Sequence, residues 1–486
     1  MAEPIPISLG RGSNVSRNGL EGINEFVNAY VEELGEGGKV QFPVYAINGL
    51  ESFATLSGGA GVRAMLPLDA QLLAVSGRIL FRVTAGGVAT AVGGIPTDGL
   101  VTMARNRQQP NPQVAIVSEG LPFIYSGGTL SSLVDTDLPP PVCVVAIDGF
   151  FVFPIADGRW FITDIDEGTT VDGLDFSRAS TSPDGLVMAA ARGRDLVLFG
   201  LNSTEFHQNT GGEDFPFTLT TSISIGCFAA GSVANSTVIR GEATVDTLIW
   251  AATDSQGSYL GIVMLNGYTP SVISTPEVDR LIRDEPDPAS IRSFAWTEDG
   301  HPFYLITGTS FTRVYDSRTA AGGGGWHARE SYGSSRWRGS CHAQFGGAHI
   351  FGDIDDNELY SSQPDVYTEA GSPIIWSITP PPVHMFPHRF RVNALHIDAI
   401  AGVGLVSSTE EQANPVLMLD YSRDGGASYG ALRQCELGRA SQRHVRVKER
   451  NFGIFDKNGV SFRMSCSANV IKGVMSAAIE ADKLSA

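Results

Sequence analysis

The chain has 486 residues, 42% of them hydrophobic, and a formal charge of −18. That length exceeds one ordinary core and implies two or three domains, or one large repeat domain with an addition, and the apolar content excludes wholesale disorder. Residues 1–379 carry 21 Lys and Arg against 42 Asp and Glu, and residues 380–486 carry 13 against 10; an acidic body of this kind argues against wrapping nucleic acid over the main surface.

The opening stretch MAEPIPISLGRG has no basic region followed by an apolar one, so no secretory signal is expected. Ile23, Val27, Tyr30, Val31 and Leu34 recur at three or four residues, with Glu25, Glu32 and Glu33 on the other side. This spacing predicts one short helix. From about residue 60 the pattern changes to short β-runs divided by Gly, Asp-Gly or Pro. Residues 71–94 read as three strands with turns at Ser76-Gly77 and Ala85–Gly87. Residues 142–168 hold two Asp-Gly turns, residues 185–206 turn at Arg-Gly-Arg, residues 291–318 at Asp299-Gly300 and residues 338–362 at Gly346-Gly347.

These blocks begin near 61, 100, 141, 184, 226, 291 and 338. A period of roughly 40 residues with three or four strands per unit is the signature of a β-propeller. The count allows six or seven blades. The 40–60 segment is available to supply a closing strand. The run SITPPPVHMFPHRF (377–390) has four prolines and reads as a linker. Beyond it, apolar and polar residues alternate, as at Val392, Leu395, Ile397, Val460, Phe462 and Met464, which predicts a small β-sandwich.

The expected fold is therefore all-β: a six- or seven-bladed β-propeller followed by a small C-terminal β-sandwich-like domain. Residues 1–60 form an N-terminal extension and propeller-closing segment, 61–376 the propeller, 377–390 the linker and 391–486 the C-terminal domain. No stretch is long and apolar enough to span a membrane: residues 142–156 come nearest and carry Asp148 and Pro154. Five widely spaced cysteines (Cys143, Cys227, Cys341, Cys435, Cys466) without a CxxC read as reduced, mostly buried thiols.

Few groups of residues point to chemistry. Asp353–Glu358 imitates the start of a calcium loop, but Glu358 and Pro364 stand where that loop needs Gly and Glu, so an exposed acidic turn is expected. His384 and His388 are four apart with Pro387 between them, which denies a helical metal pair. Cys341 and His342 adjoin on a strand and point to opposite faces. Gly322–Gly325 lacks the Lys-Ser/Thr of a phosphate loop and reads as a flexible connection. No Gly-x-Ser-x-Gly elbow occurs. Arg439, Arg443, Arg446, Lys448 and Arg450, against Glu449, form a basic cluster in which Arg446, Lys448 and Arg450 would share a strand face. It reads as a solvated face, or as a patch for an acidic partner or passing DNA.

Ser422-Arg-Asp424-Gly425-Gly426-Ala-Ser-Tyr429 resembles an Asp-box, a stapled hairpin found in sialidases away from their active site. A sialidase also needs an arginine cluster and a Tyr–Glu pair, which nothing in the sequence assembles. A second resemblance covers most of the chain. Asn28, Tyr30, Phe42, Pro43, Gly49 and Leu50 match the opening of the packaged-DNA stabilisation, or tail-hub, proteins of short-tailed bacteriophages. Trp160–Asp164, Ala179–Gly185 and Phe199–Glu205 continue it, as do residues 296–307 and the C-terminal LDYSRDGGASYG and LGRASQRHVRVKER.

This resemblance implies a structural virion protein and not an enzyme, with no active site to carry over and no cofactor. It implies a homo-hexameric ring below the portal and head-to-tail adaptor. The ring would close the channel on packaged double-stranded DNA, conduct that DNA on ejection, hold tail fibres or tailspikes and seat a needle or plug. The expected location is the virion tail, after synthesis in the bacterial host cytoplasm. The alternatives are a glycan-binding or sialidase-like propeller of a phage tail, which predicts a deep central pocket with convergent Arg and carboxylates, and a free cytosolic propeller scaffold of the host, which predicts a monomer with no ring-forming interfaces.

Overall fold

The computed structural model describes residues 4–18, 22–34, 39–212, 215–240, 243–319, 325–406 and 409–484. Among them, seven antiparallel sheets follow one another round a circle. Blade 1 pairs each of Val62–Leu68, Gln71–Ser76, Ile79–Thr84 and Ala89–Gly94 with the next. Blades 2 to 4 repeat this over residues 101–132, 145–178 and 186–223; blade 5 spans 226–272, blade 6 292–328 and blade 7 339–363. The outer strand of blade 7 is Gly49–Thr55, which runs antiparallel to Glu358–Gln363 with Leu50 opposite Ser362. The all-β propeller is thus as expected, and the open count resolves to seven blades.

Local chemistry explains the blades. Asp148-Gly149 (φ +52° and +93°) and Asp299-Gly300 (φ +51° and +77°) take the left-handed pair of a two-residue hairpin. The second strands are buried on both faces: every residue of Asp195–Gly200 is buried. The apolar residues gather between blades. Leu73, Val75 and Leu80 of blade 1 meet Val114, Ile116 and Phe123 of blade 2. Trp296, Phe303 and Leu305 of blade 6 meet Phe351 and Tyr360 of blade 7. Blade 7 then meets blade 1 through Phe345, Ile350 and Leu359 against Leu72, Phe81 and Val83, and the circle closes. Each large side chain so buried is worth ~1.5–3 kcal/mol. The wider spacing before blade 6 holds a helix, Pro276–Arg283, capped by Thr275, whose Glu277 accepts from Val15 N (2.8 Å) and pairs with Arg313 (2.9 Å).

The helix expected near residue 30 does not form. The segment is two strands, Ile23–Val27 and Ala29–Val31, broken at Asn28 (φ +52°). One left-handed residue between two alternating runs shifts their phase, and the sum imitates a spacing of three and four. β-Branched Ile23, Val27 and Val31 suit strands, and waiting partner edges decide the outcome.

Those partners lie far along the chain. Ile23–Val27 pairs antiparallel with Trp376–Thr379, and Val27 pairs in parallel with Ala328 of blade 6. One sheet therefore runs from blade 6 through the N-terminal strand into the C-terminal domain, continuing as Ser461–Cys466, Val416–Ser422 and Gly430–Glu436. The facing sheet orders Ala29–Val31, Val44–Ala46, Gly473–Lys483, Phe390–Ala399 and Val447–Phe455, with Pro4–Ile7 beside Gly473–Lys483. Phe26, Trp376, Phe390, Phe452, Phe462 and Ile479 share the core of this sandwich. The proline run does not separate it cleanly: Trp376–Thr379 is a strand immediately before Pro380, and Val383 bridges Val460.

Candidate functional site

The inner strands of the blades surround a channel with a cavity of about 580 Å³. Met65, Thr102, Ala146, Ala190, Asn235 and Phe294 represent its wall, and Arg105 is the sole ionisable side chain lining it. Arg105 lies 3.8 Å from Asp69. A wall of small and apolar groups with one cation has no nucleophile paired with a base and no convergent carboxylates. Among the described residues no helix is long and apolar enough to cross a membrane, and no group of three His, Cys, Asp or Glu is placed to hold a metal.

The junction between propeller and sandwich is more polar. Asn28 is buried, donates from Nδ2 to Glu330 O (2.9 Å) and Ile375 O (3.0 Å), and accepts at Oδ1 from Glu330 N (3.0 Å). One side chain thus joins the chain leaving blade 6 to the chain entering the sandwich. Tyr30 packs edge-on against His301 and Phe303. Arg329 is buried with its guanidinium 4.9 Å from Trp296, 5.2 Å from Phe303 and 5.3 Å from Trp337, and burial brings its pKa down to about 10. His301 and Asp316 form a buried pair at 2.7 Å, while burial and Arg329 hold His327 well below the ordinary histidine range. On the sandwich side, Lys472 is buried and donates to Ile374 O (3.1 Å), and burial lowers its pKa to about 8.

The Asp-box-like turn is a hydrogen-bonded hairpin. Ser422 Oγ donates to Asp424 Oδ1 (2.6 Å) and accepts from Gly426 N (2.7 Å), and Ser428 N donates to Asp424 Oδ1 (2.9 Å). Gly425 and Gly426 take φ +74° and +95°. The Ser422 and Ser428 hydroxyls hold the Asp424 carboxyl well below the usual range. Tyr429 bonds Ser461 Oγ (3.1 Å) and carries the Arg463 guanidinium 4.3 Å above its ring.

The structure divides the five basic residues. Arg439 and Arg443 lie in the turn before Val447–Phe455, Arg446 just precedes that strand, and Lys448 and Arg450 lie on it. A shared strand face therefore holds for Lys448 and Arg450 alone. Lys448 pairs with Glu480 (2.9 Å) and Arg439 lies 3.4 Å from Glu410. Arg443, Arg446 and Arg450 are exposed, with no ion pair among the described residues.

The remaining candidates hold no site. Asp353 is buried, not exposed, and accepts from Asp355 N and Asp356 N. His384 and His388 lie in irregular chain around Pro387. Cys341 faces blade 1, while His342 stacks against Phe294 and bonds His349 (3.0 Å). All five cysteines are free. Gly322–Gly324 lie outside the described residues.

A family profile described as bacteriophage P22 Gp10, beta-propeller, matches residues 40–367, and a second, P22 Gp10, beta-sandwich, matches residues 376–482. The chain belongs to this family. The P22 Gp10 family is that of the packaged-DNA stabilisation, or tail-hub, proteins of short-tailed phages, structural components of the virion tail. No curated protein matches the chain. Among solved structures, virginiamycin B lyase from Staphylococcus aureus is 13% identical with a TM-score of 0.42, over 64% of this chain and 98% of that one. The WD40 propeller of Doa1 is 11% identical with a TM-score of 0.38, over 65% and 97%. The Neurospora crassa Pan2 WD40 domain is 6% identical with a TM-score of 0.37, over 65% and 94%.

The segments through which this chain resembles the P22 Gp10 family brace one another. Asp184 accepts from Asn202 N (2.6 Å) and Ser203 N (3.2 Å), and Glu205 accepts from Ser180 N (2.8 Å), Thr181 N (2.6 Å) and His207 (2.8 Å). Residues 179–185 and 199–205 are thus knitted by two carboxylates. A further pair went unnoticed in the sequence. Arg423 donates to Phe452 O and Ile454 O, and Arg433 to Arg450 O and Asn451 O, along the outermost strand of one sandwich sheet. Their guanidiniums lie 4.5 Å from the Phe455 ring and 4.3 Å from the Phe452 ring. Arginines that occupy edge carbonyls block further strand addition. No sequence spacing marks this pair; the backbone beside Phe452 and Phe455 is irregular at Asn451 (φ +64°) and Gly453 (φ +92°).

Proposed function

We propose that the protein forms a homo-hexameric hub, or nozzle, below the portal and head-to-tail adaptor. The ring closes the channel to retain packaged DNA, conducts it on ejection, holds tail fibres or tailspikes and seats a needle or plug. It is built in the host cytoplasm and performs no catalysis. The observation that carries this reading is the match of two P22 Gp10 profiles, propeller and sandwich, over 40–367 and 376–482. The excess of 42 acids over 21 bases in residues 1–379 supports it, since a wall that neutralised phosphates would bind passing DNA by counterion release. An acidic wall of the ring's lumen is part of this proposal.

The test is symmetry-resolved cryo-electron microscopy of virions. About six copies round the channel below the adaptor, with an acidic wall, is the expected result. A position at a fibre tip, or a basic wall, would overturn it, and the first of these would turn attention to glycan binding.

A further inference from the structure

Two exposed patches of opposite sign stand outside the contacts described so far. The first lies on adjoining loops of blades 2 and 3. Val134 is 87% exposed, Leu174 84% and Ile165 62%. Single exposed apolar residues are ordinary, but three on neighbouring loops mark an interaction surface. The loops are tied together: Val171 N donates to Asp135 Oδ2 (3.2 Å), and a Cβ on Gly173 would lie 2.9 Å from the Asp137 carboxyl carbon. Asp137, Asp164 and Asp172 are exposed there, with no ion pair among the described residues, and outnumber the one exposed cation, Arg107, beside Ile165.

The second patch lies on the sandwich, where loop 400–406 packs on turn 438–446 through Gly402 N to Leu437 O (2.8 Å) and Ser441 N to Gly402 O (3.3 Å). Arg443 and Arg446 are exposed there, with no ion pair among the described residues.

The topology keeps the patches apart. The sandwich sheet is continuous with blade 6, and blade 3 lies three steps round the seven-bladed circle, close to the opposite side. Among the described residues no ion pair joins the two patches within one chain.

We infer that they meet between copies: the acidic, apolar rim of blades 2 and 3 seats the basic turn 438–446 of the next copy. This rests on the ring reading above. Contact between two different patches is heterologous, and its repetition closes a ring when the rotation per step permits. The occupant is a second copy because this chain carries both halves of the complement. Val134, Ile165 and Leu174 supply the desolvated centre, and the charges supply the rim that sets register and suppresses wrong pairings.

The test uses full-length protein in assembled tails. Asp172→Cys with Arg443→Cys should give copies linked in a ladder on mild oxidation. Asp137→Lys with Asp172→Lys should lower incorporation into tails at least ~tenfold, a factor equal to about 1.4 kcal/mol. Arg443→Glu with Arg446→Glu should do the same, and the four changes together should restore incorporation. Normal rings from either reversal, with no linked copies, would overturn the inference. Normal rings that leak DNA after the arginine reversal would also overturn it and assign the turn to DNA. If unaltered tails hold no ring of this chain, the ring reading fails first, in the unmodified protein rather than in the variants.

Discussion

Blade 2 pairs four strands that succeed one another within residues 101–132, whereas the sandwich pairs Pro4–Ile7 with Gly473–Lys483 and Ile23–Val27 with Trp376–Thr379. The propeller grows by local hairpins and divides its core into clusters between blades. The sandwich has one core, and that core draws on both ends of the chain. Local pairing closes small loops and is robust to change elsewhere, while distant pairing has more loop entropy to overcome and makes one domain depend on the other.

The sharpest way to break this contrast is Phe26→Ala. Phe26 is 1% exposed in the sandwich core, and its truncation should cost ~3–5 kcal/mol. Denaturant titration followed by proteolytic sensitivity of each domain should then show the sandwich opening first. Phe153→Ala, in the cluster between blades 2 and 3, should leave the sandwich protected. A single transition in both variants would mean that the two regions unfold as one.

Asn28→Ala tests the joint itself. Three hydrogen bonds are lost and backbone groups of Glu330 and Ile375 are left unsatisfied, at a cost of about 3 kcal/mol. Thermal unfolding should separate into two steps.

Glu205→Gln probes the propeller alone and should cost about 2 kcal/mol at neutral pH, because the buried carboxylate accepts two backbone bonds and one from His207. Those hydrogen bonds outweigh burial and bring the Glu205 pKa down to about 2. A depressed carboxyl contributes stability above its unfolded pKa, and that contribution fades as pH falls from about 4.5 to 2. The Gln variant should show a shallower acid limb in that window.

Lys472→Met has the smallest expected effect, within about 1 kcal/mol at pH 7, since relief of a buried cation offsets the lost bond to Ile374 O. With its pKa lowered to about 8, the folded chain releases this proton before the unfolded chain does. Stability of the native protein should therefore rise from about pH 8 toward the unfolded lysine value near 10.4, and the variant should lack that rise.

The same contrast governs what could be read from residues. Blades were legible because their information is local: Asp148-Gly149 and Asp299-Gly300 mark turns between apolar runs. The strand Ile23–Val27 was not, because its pairing depends on Ala328 and Thr379, and the break at Asn28 disguised its period. The Asp-box-like turn was written in consecutive residues and folds as a local unit. The basic cluster was visible as composition, but neither its division between a turn and a strand paired with Phe390–Ala399 nor its partners Glu480 and Glu410 was. The edge cover by Arg423 and Arg433 was hidden for the same reason: a guanidinium on a distant carbonyl leaves no spacing behind.

Synthesis runs from the amino end, so Ile23–Val27 leaves the ribosome long before Trp376–Thr379 exists to receive it. At ~5–20 residues per second the delay is some tens of seconds. Through that interval the edge that Trp376–Thr379 will cover stays open in a crowded cell, with only Asn14–Val15 available on the strand's other side. Glu25, Glu32 and Glu33 lie in and beside it, and charges of this kind act as gatekeepers against premature aggregation. The last strands translated then release the first from waiting, so that a truncated product, lacking them, would never present a finished joint to its neighbours.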